Sequence, residues 1–187
     1  AVLVGSLAIP KATYASAACA GSKRAVTSLR AACARAVWGR GNTWRSNEVL
    51  FSLLAKGHLC DPLQVEAYRS LTVARQVLSR HPELWQMYSD VWERRWVDNE
   101  CPRTGGPVAA LMQACRVSRM EMPDAGHIQR FSWNGEALPP ISLVTQDKGG
   151  FEHFVREGLR TEQWWRLDLR RAGFDGVRRG VDRAATL

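Results

Sequence analysis

The sequence predicts a mainly α protein, a helical bundle carrying a small β-hairpin appendage in its C-terminal half. Three observations predict it. Apolar residues recur at helical spacing through most of the first hundred positions. Helix-start signals precede these stretches at Ser22, Asp61-Pro62 and His81-Pro82. Strand-like patterning is confined to residues 128–141. The 187 residues, 45% hydrophobic and 24% charged, are enough to bury a core in one domain, or one plus a small appendage.

Taken in order, residues 1–20 are apolar and rich in small side chains, with Pro10 at a bend or in the first turn of a helix. Ser22 caps a helix predicted over 22–38, whose apolar positions are Val26, Leu29, Cys33, Ala36 and Val37. Gly39-Arg40-Gly41-Asn42 breaks it. Ser46 caps a short helix over 46–56, with Glu48 well placed against the helix dipole. Asp61-Pro62, a cap followed by proline at the first helical position, starts a helix that turns Leu63, Ala67, Leu71, Ala74 and Leu78 inward. His81-Pro82-Glu83 opens another, ending near Val97, in which Trp85, Trp92 and Trp96 lie beside Leu84, Met87 and Val91. That wide face is either core or a platform for stacking bases.

Residues 101–107 break the helical pattern, and a helix over 108–119 follows. Asn134-Gly135, within Phe131-Ser132-Trp133-Asn134-Gly135-Glu136-Ala137-Leu138, is the signature of a tight hairpin, and Pro139-Pro140 limits its second strand to an edge. Gly149-Gly150 leads into a last helical stretch, with Thr161 as a cap and Gly173 as a stop. The expected division is a helical domain over 1–100, a linker with a short helix and hairpin over 101–148, and a helical connection over 149–187.

Charge is distributed unevenly. Of the net charge of +8, seven units fall in the first 56 residues, where eight basic side chains face Glu48 as the one acid. These eight are spread through foldable sequence instead of forming a run, which points to a folded surface for a polyanion. Lys23, Arg24 and Arg35 project from one face of the 22–38 helix, Arg30 borders both faces, and Arg40 and Arg45 sit in the glycine-broken loop. With Lys11 they are the candidate nucleic-acid-binding residues, because cations that neutralise phosphates gain affinity by counterion release without reading bases. Arginine outnumbers lysine 22 to 4. That bias suits phosphate forks and base stacking, and equally follows from a GC-rich coding sequence.

Most catalytic templates fail. The chain has no phosphate-binding loop motif, no complete dinucleotide fingerprint and no H-E-x-x-H pair. No adjacent Asp-Asp is present to hold two cations. Asp168, Asp175 and Asp182 lie among arginines and read as an ion-pair surface, with a small nuclease as the less favoured reading. His58, His81, His127 and His153 are isolated, and a Cys60–His58 metal pair lacks further ligands. The five cysteines are widely spaced with no C-x-x-C, which predicts reduced, mostly buried thiols and an intracellular protein. The apolar start lacks a basic segment and is interrupted by Pro10-Lys11, so a secretory signal is not expected, nor is a membrane span. The absence of an initiator Met and the abrupt end predict a piece of a longer polypeptide.

The stretch Leu7-Ala8-Ile9-Pro10-Lys11-Ala12-Thr13-Tyr14-Ala15 resembles the segment just downstream of the polymerase core in LINE-like (non-LTR) retrotransposon reverse transcriptases. The basic amphipathic helix and the break between Trp38 and Trp44 are similar to the same region, and Tyr14-Ala15 stands where the family more often has tyrosine-glycine. The closing Gly173-Phe174-Asp175-Gly176 stretch looks like a connection towards a further domain such as a ribonuclease H. The resemblance spans about residues 3–62. It implies a thumb or thumb-to-connection segment, which grips primer–template without catalysing, needs no cofactor itself, and meets RNA or an RNA–DNA hybrid and the rest of its polyprotein. The parent would be an RNA-directed DNA polymerase requiring Mg2+. The alternative expectation is a helical protein-interaction module that uses its Trp-rich face.

Overall fold

The computed structural model describes residues 8–15, 17–18, 22–39, 47–54, 57–97 and 106–170. In chain order these form α1 (Ile9–Ala12), α2 (Lys23–Trp38), α3 (Asn47–Val49), which widens into a π-helical turn over Leu50–Leu54, and α4 (Gly57–Cys60). After them come α5 (Pro62–Arg80), a 3-10 turn (Pro82–Leu84), α6 (Trp85–Val97) and α7 (Pro107–Ser118). Three short strands, β1 (Glu121–Asp124), β2 (His127–Gln129) and β3 (Ile141–Ser142), precede α8 (Lys148–Arg170). The protein is thus mainly α with a small antiparallel sheet. Among the described residues no helix is long and apolar enough to cross a membrane.

The start signals act as their chemistry requires. Ser22 accepts the N–H of Ala25, Asp61 accepts that of Leu63, and Pro62 occupies the first turn of α5. Gly39 ends α2 at φ +81°, a backbone conformation that glycine adopts without cost. Around α5 the chain builds two clusters of buried side chains. Ile9, Cys33, Ala34, Leu50, Phe51, Cys60 and Val65 form the smaller one. Ala67, Leu71 and Leu78 enter the larger one with Tyr88, Leu111, Met120, Ile128, Leu143, Phe151 and Val155 among others. In its first turns α5 buries Gln64, Val65, Glu66 and Ala67 in succession, so it is enclosed on all sides there. Two side-chain amides tie α8 across both clusters: Gln64 Nε2 donates to the Leu159 carbonyl at 3.2 Å, and Gln163 Nε2 to that of Phe51 at 3.1 Å.

In the C-terminal half the expected hairpin is present, a further hairpin precedes it, and the expected cap of the last helix is corrected. A hairpin not anticipated lies upstream of Asn134-Gly135: β1 and β2 pair around Ala125-Gly126, where Asp124 Oδ1 accepts the Gly126 N–H at 2.7 Å. The expected Asn-Gly hairpin is present: Phe131 bridges Ala137, the Ser132 N–H donates to the Glu136 carbonyl at 2.8 Å and the Leu138 N–H to that of Arg130 at 2.9 Å, with Gly135 at φ +84° in the turn. The strand after Pro139-Pro140 pairs with β2 as an edge, in the order β1-β2-β3. Thr161 is no cap, since it lies inside α8 and its hydroxyl donates back to the Glu157 carbonyl at 2.9 Å. Asp147 takes the capping role, accepting the Gly150 N–H at 2.7 Å. Backbone hydrogen bonding there holds the Asp147 carboxyl below the usual carboxylate range.

In α6 the buried face is aromatic. Trp85, Tyr88 and Trp92 turn to the large core, and Tyr88 stands 5.6 Å from Trp85 between ring centroids. Met87 and Val91, expected inward, are 61% and 38% exposed. The aromatic residues win the inner face because each removes more apolar area from water than a methionine or valine does. Trp85 packs against the turn at Gly126, where an added Cβ would come within 3.2 Å of its ring. The Trp96 side chain lies outside the described residues. The Tyr88 hydroxyl is buried with no hydrogen-bond partner among the described residues, and burial pushes its ionisation far above the usual tyrosine range. Tyr88→Phe removes this orphan donor without leaving a hole. The variant is expected to gain up to about 1 kcal/mol in chemical denaturation. A loss of similar size would mean that the hydroxyl has a partner in solution.

Candidate nucleic-acid interface

α2 contains no acid, and its first turn carries Lys23 and Arg24. Cations there oppose the positive end of the helix dipole, a placement that costs each roughly 0.3–1 kcal/mol. A bound anion offsets that cost. Lys23, Arg24 and Arg35 are all exposed. At 100° per residue Arg24 and Arg35 lie within about 20° of each other in the middle of the exposed arc, while Lys23 lies about 100° from Arg24, on the side of Arg30 and Ala34, and is exposed in the first turn of the helix. None of the three has an acidic partner among the described residues. The same holds for Lys11, which is exposed at the end of α1.

Arg30 is withdrawn from this set. Its Nε lies 2.9 and 3.0 Å from the two carboxylate oxygens of Asp61, and its Nη2 lies 2.9 Å from Oδ2. The two side chains are 15% and 2% exposed, and the guanidinium sits 5.3 Å from the centre of the Phe51 ring. The expectation that Arg30 contacts phosphate is therefore corrected: it holds α2 against the start of α5. The buried stripe of α2 is turned towards Arg30 accordingly. Ala34 is buried beside Cys33, while Ala36, expected inside, is exposed. Burial pushes the Asp61 carboxyl up, and Arg30 pulls it back towards its ionised form.

A second arginine positions the N-terminal segment. Arg69 Nη1 donates to the Pro10 carbonyl and to Thr13 Oγ1, each at 3.1 Å, so α5 closes the end of α1. Thr13 is buried, and its hydroxyl also reaches the Ile9 carbonyl at 2.9 Å. The next residue, Tyr14, is 87% exposed. An aromatic ring in solvent on the same segment as Lys11 is able to stack on a base. Sequence reasoning had no signal for it beyond the tyrosine itself, since nothing local distinguishes a solvent-facing tyrosine from a core one.

Arg40 and Arg45 lie outside the described residues, as do Ser46, Lys56, Cys19, Cys101, Gly173, Asp175 and Asp182, and the side chains of Glu48, His58 and Asp168. Cys33, Cys60 and Cys115 are free and buried. Burial raises the ionisation of all three, that of Cys115 to about 12, which keeps them as unreactive thiols. Among the described residues no three His, Cys, Asp or Glu side chains gather as a metal site would require. No family model, no curated protein and no solved structure matches this chain.

Proposed function

We propose that the N-terminal part of this chain is a non-catalytic grip on the backbone of RNA or an RNA–DNA hybrid, within a reverse transcriptase of the non-LTR retrotransposon kind. The observation that carries this reading is the acid-free exposed surface of α2, its first turn included. Lys23, Arg24 and Arg35 stand there without acidic partners among the described residues, two of them where the helix dipole disfavours a cation. Phosphate contacts of this type position a duplex without reading its sequence. Lys11 and Tyr14 are exposed on the preceding segment, and Arg40 and Arg45 belong to the same basic stretch of sequence. Polymerisation, with its Mg2+ requirement, is assigned to the parent polypeptide. Membership of the retrotransposon family rests on the resemblance of the segment from Leu7 to Ala15. The inward packing of Trp85 and Trp92 counts against a tryptophan-lined docking face.

The test is a salt titration of the 187-residue chain with a short RNA–DNA hybrid. With three or four phosphate contacts the logarithm of affinity falls about threefold as steeply as the logarithm of salt rises. Affinity then drops roughly 50-fold between about 50 and 200 mM. Binding that survives unchanged over this range would overturn the reading.

A further inference from the structure

A second concentration of cations lies far along the chain from α2. A cleft of about 560 Å³ opens between the end of α7, the start of β1, the 130–135 turn and the middle of α8. Arg116, Arg119 and Arg130 line it together with Glu121, Glu162 and Trp165. The charge of Glu162 is already answered from outside the lining, by Arg166 at 2.7 Å, while Arg119 stands 3.7 Å from its other oxygen. The cleft is therefore left with an excess of positive charge.

The end of α7 does not need these arginines. Its last carbonyls are taken by the Ser118 hydroxyl on Ala114, the Met120 N–H on Cys115, the Arg119 N–H on Arg116 and Arg166 Nη2 on Val117. Arg119 is also the one non-glycine residue with positive φ (49°) among the described residues, at a helix end where glycine is the residue of lowest cost. What that conformation achieves is placement: the guanidinium lies over the Trp165 ring at 4.2 Å. The result is a flat cationic platform with an indole behind it. Arg130 lies over Phe154 at 5.2 Å, and its Nε is buried without an acceptor among the described residues. A half-buried guanidinium whose Nε lacks an acceptor, beside a guanidinium–indole platform, matches a ligand with both an anionic oxygen and a planar ring.

We propose that this cleft binds a nucleotide, its base stacked on the Arg119–Trp165 platform and its phosphate held by Arg130. The volume lies within the range of small-ligand sites. A free nucleotide and one unit of a single strand present the same chemistry of recognition. Two such contact regions on one chain would let it hold a backbone at α2 and a separate unpaired nucleotide here.

The experiment titrates the full chain with adenosine monophosphate, adenosine, inorganic phosphate and a five-residue oligoadenylate, following tryptophan fluorescence. Saturable quenching by the monophosphate, stronger than by adenosine or phosphate alone, is expected. Arg119→Ala should weaken it about tenfold or more. Arg130→Lys, which keeps the charge and the aliphatic stem but loses the fork, should also weaken it and guards against a misfolded Arg130→Ala protein. Binding of the oligoadenylate alone, lost in Arg119→Ala, assigns the site to a strand and supports the proposal equally. Lys23→Glu/Arg24→Glu/Arg35→Glu should leave monophosphate binding unchanged, which separates this site from the α2 grip. Equal binding of phosphate and monophosphate, no binding of either adenylate, or binding indifferent to both cleft variants would overturn it.

Discussion

Arg30→Met is expected to destabilise the protein by about 3–5 kcal/mol, because it strands the Asp61 carboxylate in an apolar setting. Asp61 is 1% exposed and has two tasks, pairing with Arg30 and capping α5 at the Leu63 N–H. With Arg30 gone, only desolvation and weaker attractions act on it, so the carboxyl is pushed further up. A carboxyl raised in the folded state contributes stability below its unfolded pKa and loses it as pH rises through the folded pKa. The variant should therefore lose most at neutral pH, and its deficit against the parent should narrow in acid, as Asp61 takes up a proton in the folded state. Denaturant unfolding at several pH values measures this. A deficit under about 1 kcal/mol at neutral pH would place the pair in water, where ion pairs are weak.

Trp92→Ala should cost about 3 kcal/mol, the lower end of the range for a core tryptophan, because the ring is only partly buried against the large cluster. Met87→Ala, one turn away and 61% exposed, should change stability by less than about 0.5 kcal/mol. The comparison decides between a core face and a docking face on α6. If Trp92→Ala kept its stability and lost an oligomeric state instead, the protein-interaction reading would replace the core one.

What could be read in the sequence was local. Ser22, Asp61 and Pro62 announce α2 and α5 because a cap acts within three residues of itself, and both caps form the hydrogen bonds expected of them. The stripe of α5 was legible because Ala67, Leu71 and Leu78 recur at one spacing and nothing of similar area competes with them. On α6 two apolar faces did compete. Periodicity alone could not rank Trp85, Tyr88 and Trp92 above Met87 and Val91, since the ranking depends on what faces them across the core. Thr161 was misread because a threonine whose hydroxyl bonds back inside a helix looks in sequence like one that caps.

The site followed the same rule. That Arg24 and Arg35 share the outer side of one helix follows from their spacing, while Lys23 is exposed because it stands in the first turn. That Arg30 does not join them follows from Asp61, 31 residues later, to which no local pattern points. The cleft was invisible for the same reason: Arg119, Arg130 and Trp165 meet only once β1 and β2 have turned the chain back onto α8.

The most direct test of the grip compares the parent with Lys23→Glu/Arg24→Glu/Arg35→Glu in salt titrations of RNA–DNA hybrid binding, after circular dichroism has shown that both are equally helical. The three side chains are exposed, so the fold should survive their reversal. The account predicts a parent slope near −3 on logarithmic axes, a variant slope of about −1 or shallower, and an affinity at low salt reduced by about 100-fold for any hybrid sequence. Equal slopes and equal affinities for the two proteins would contradict it.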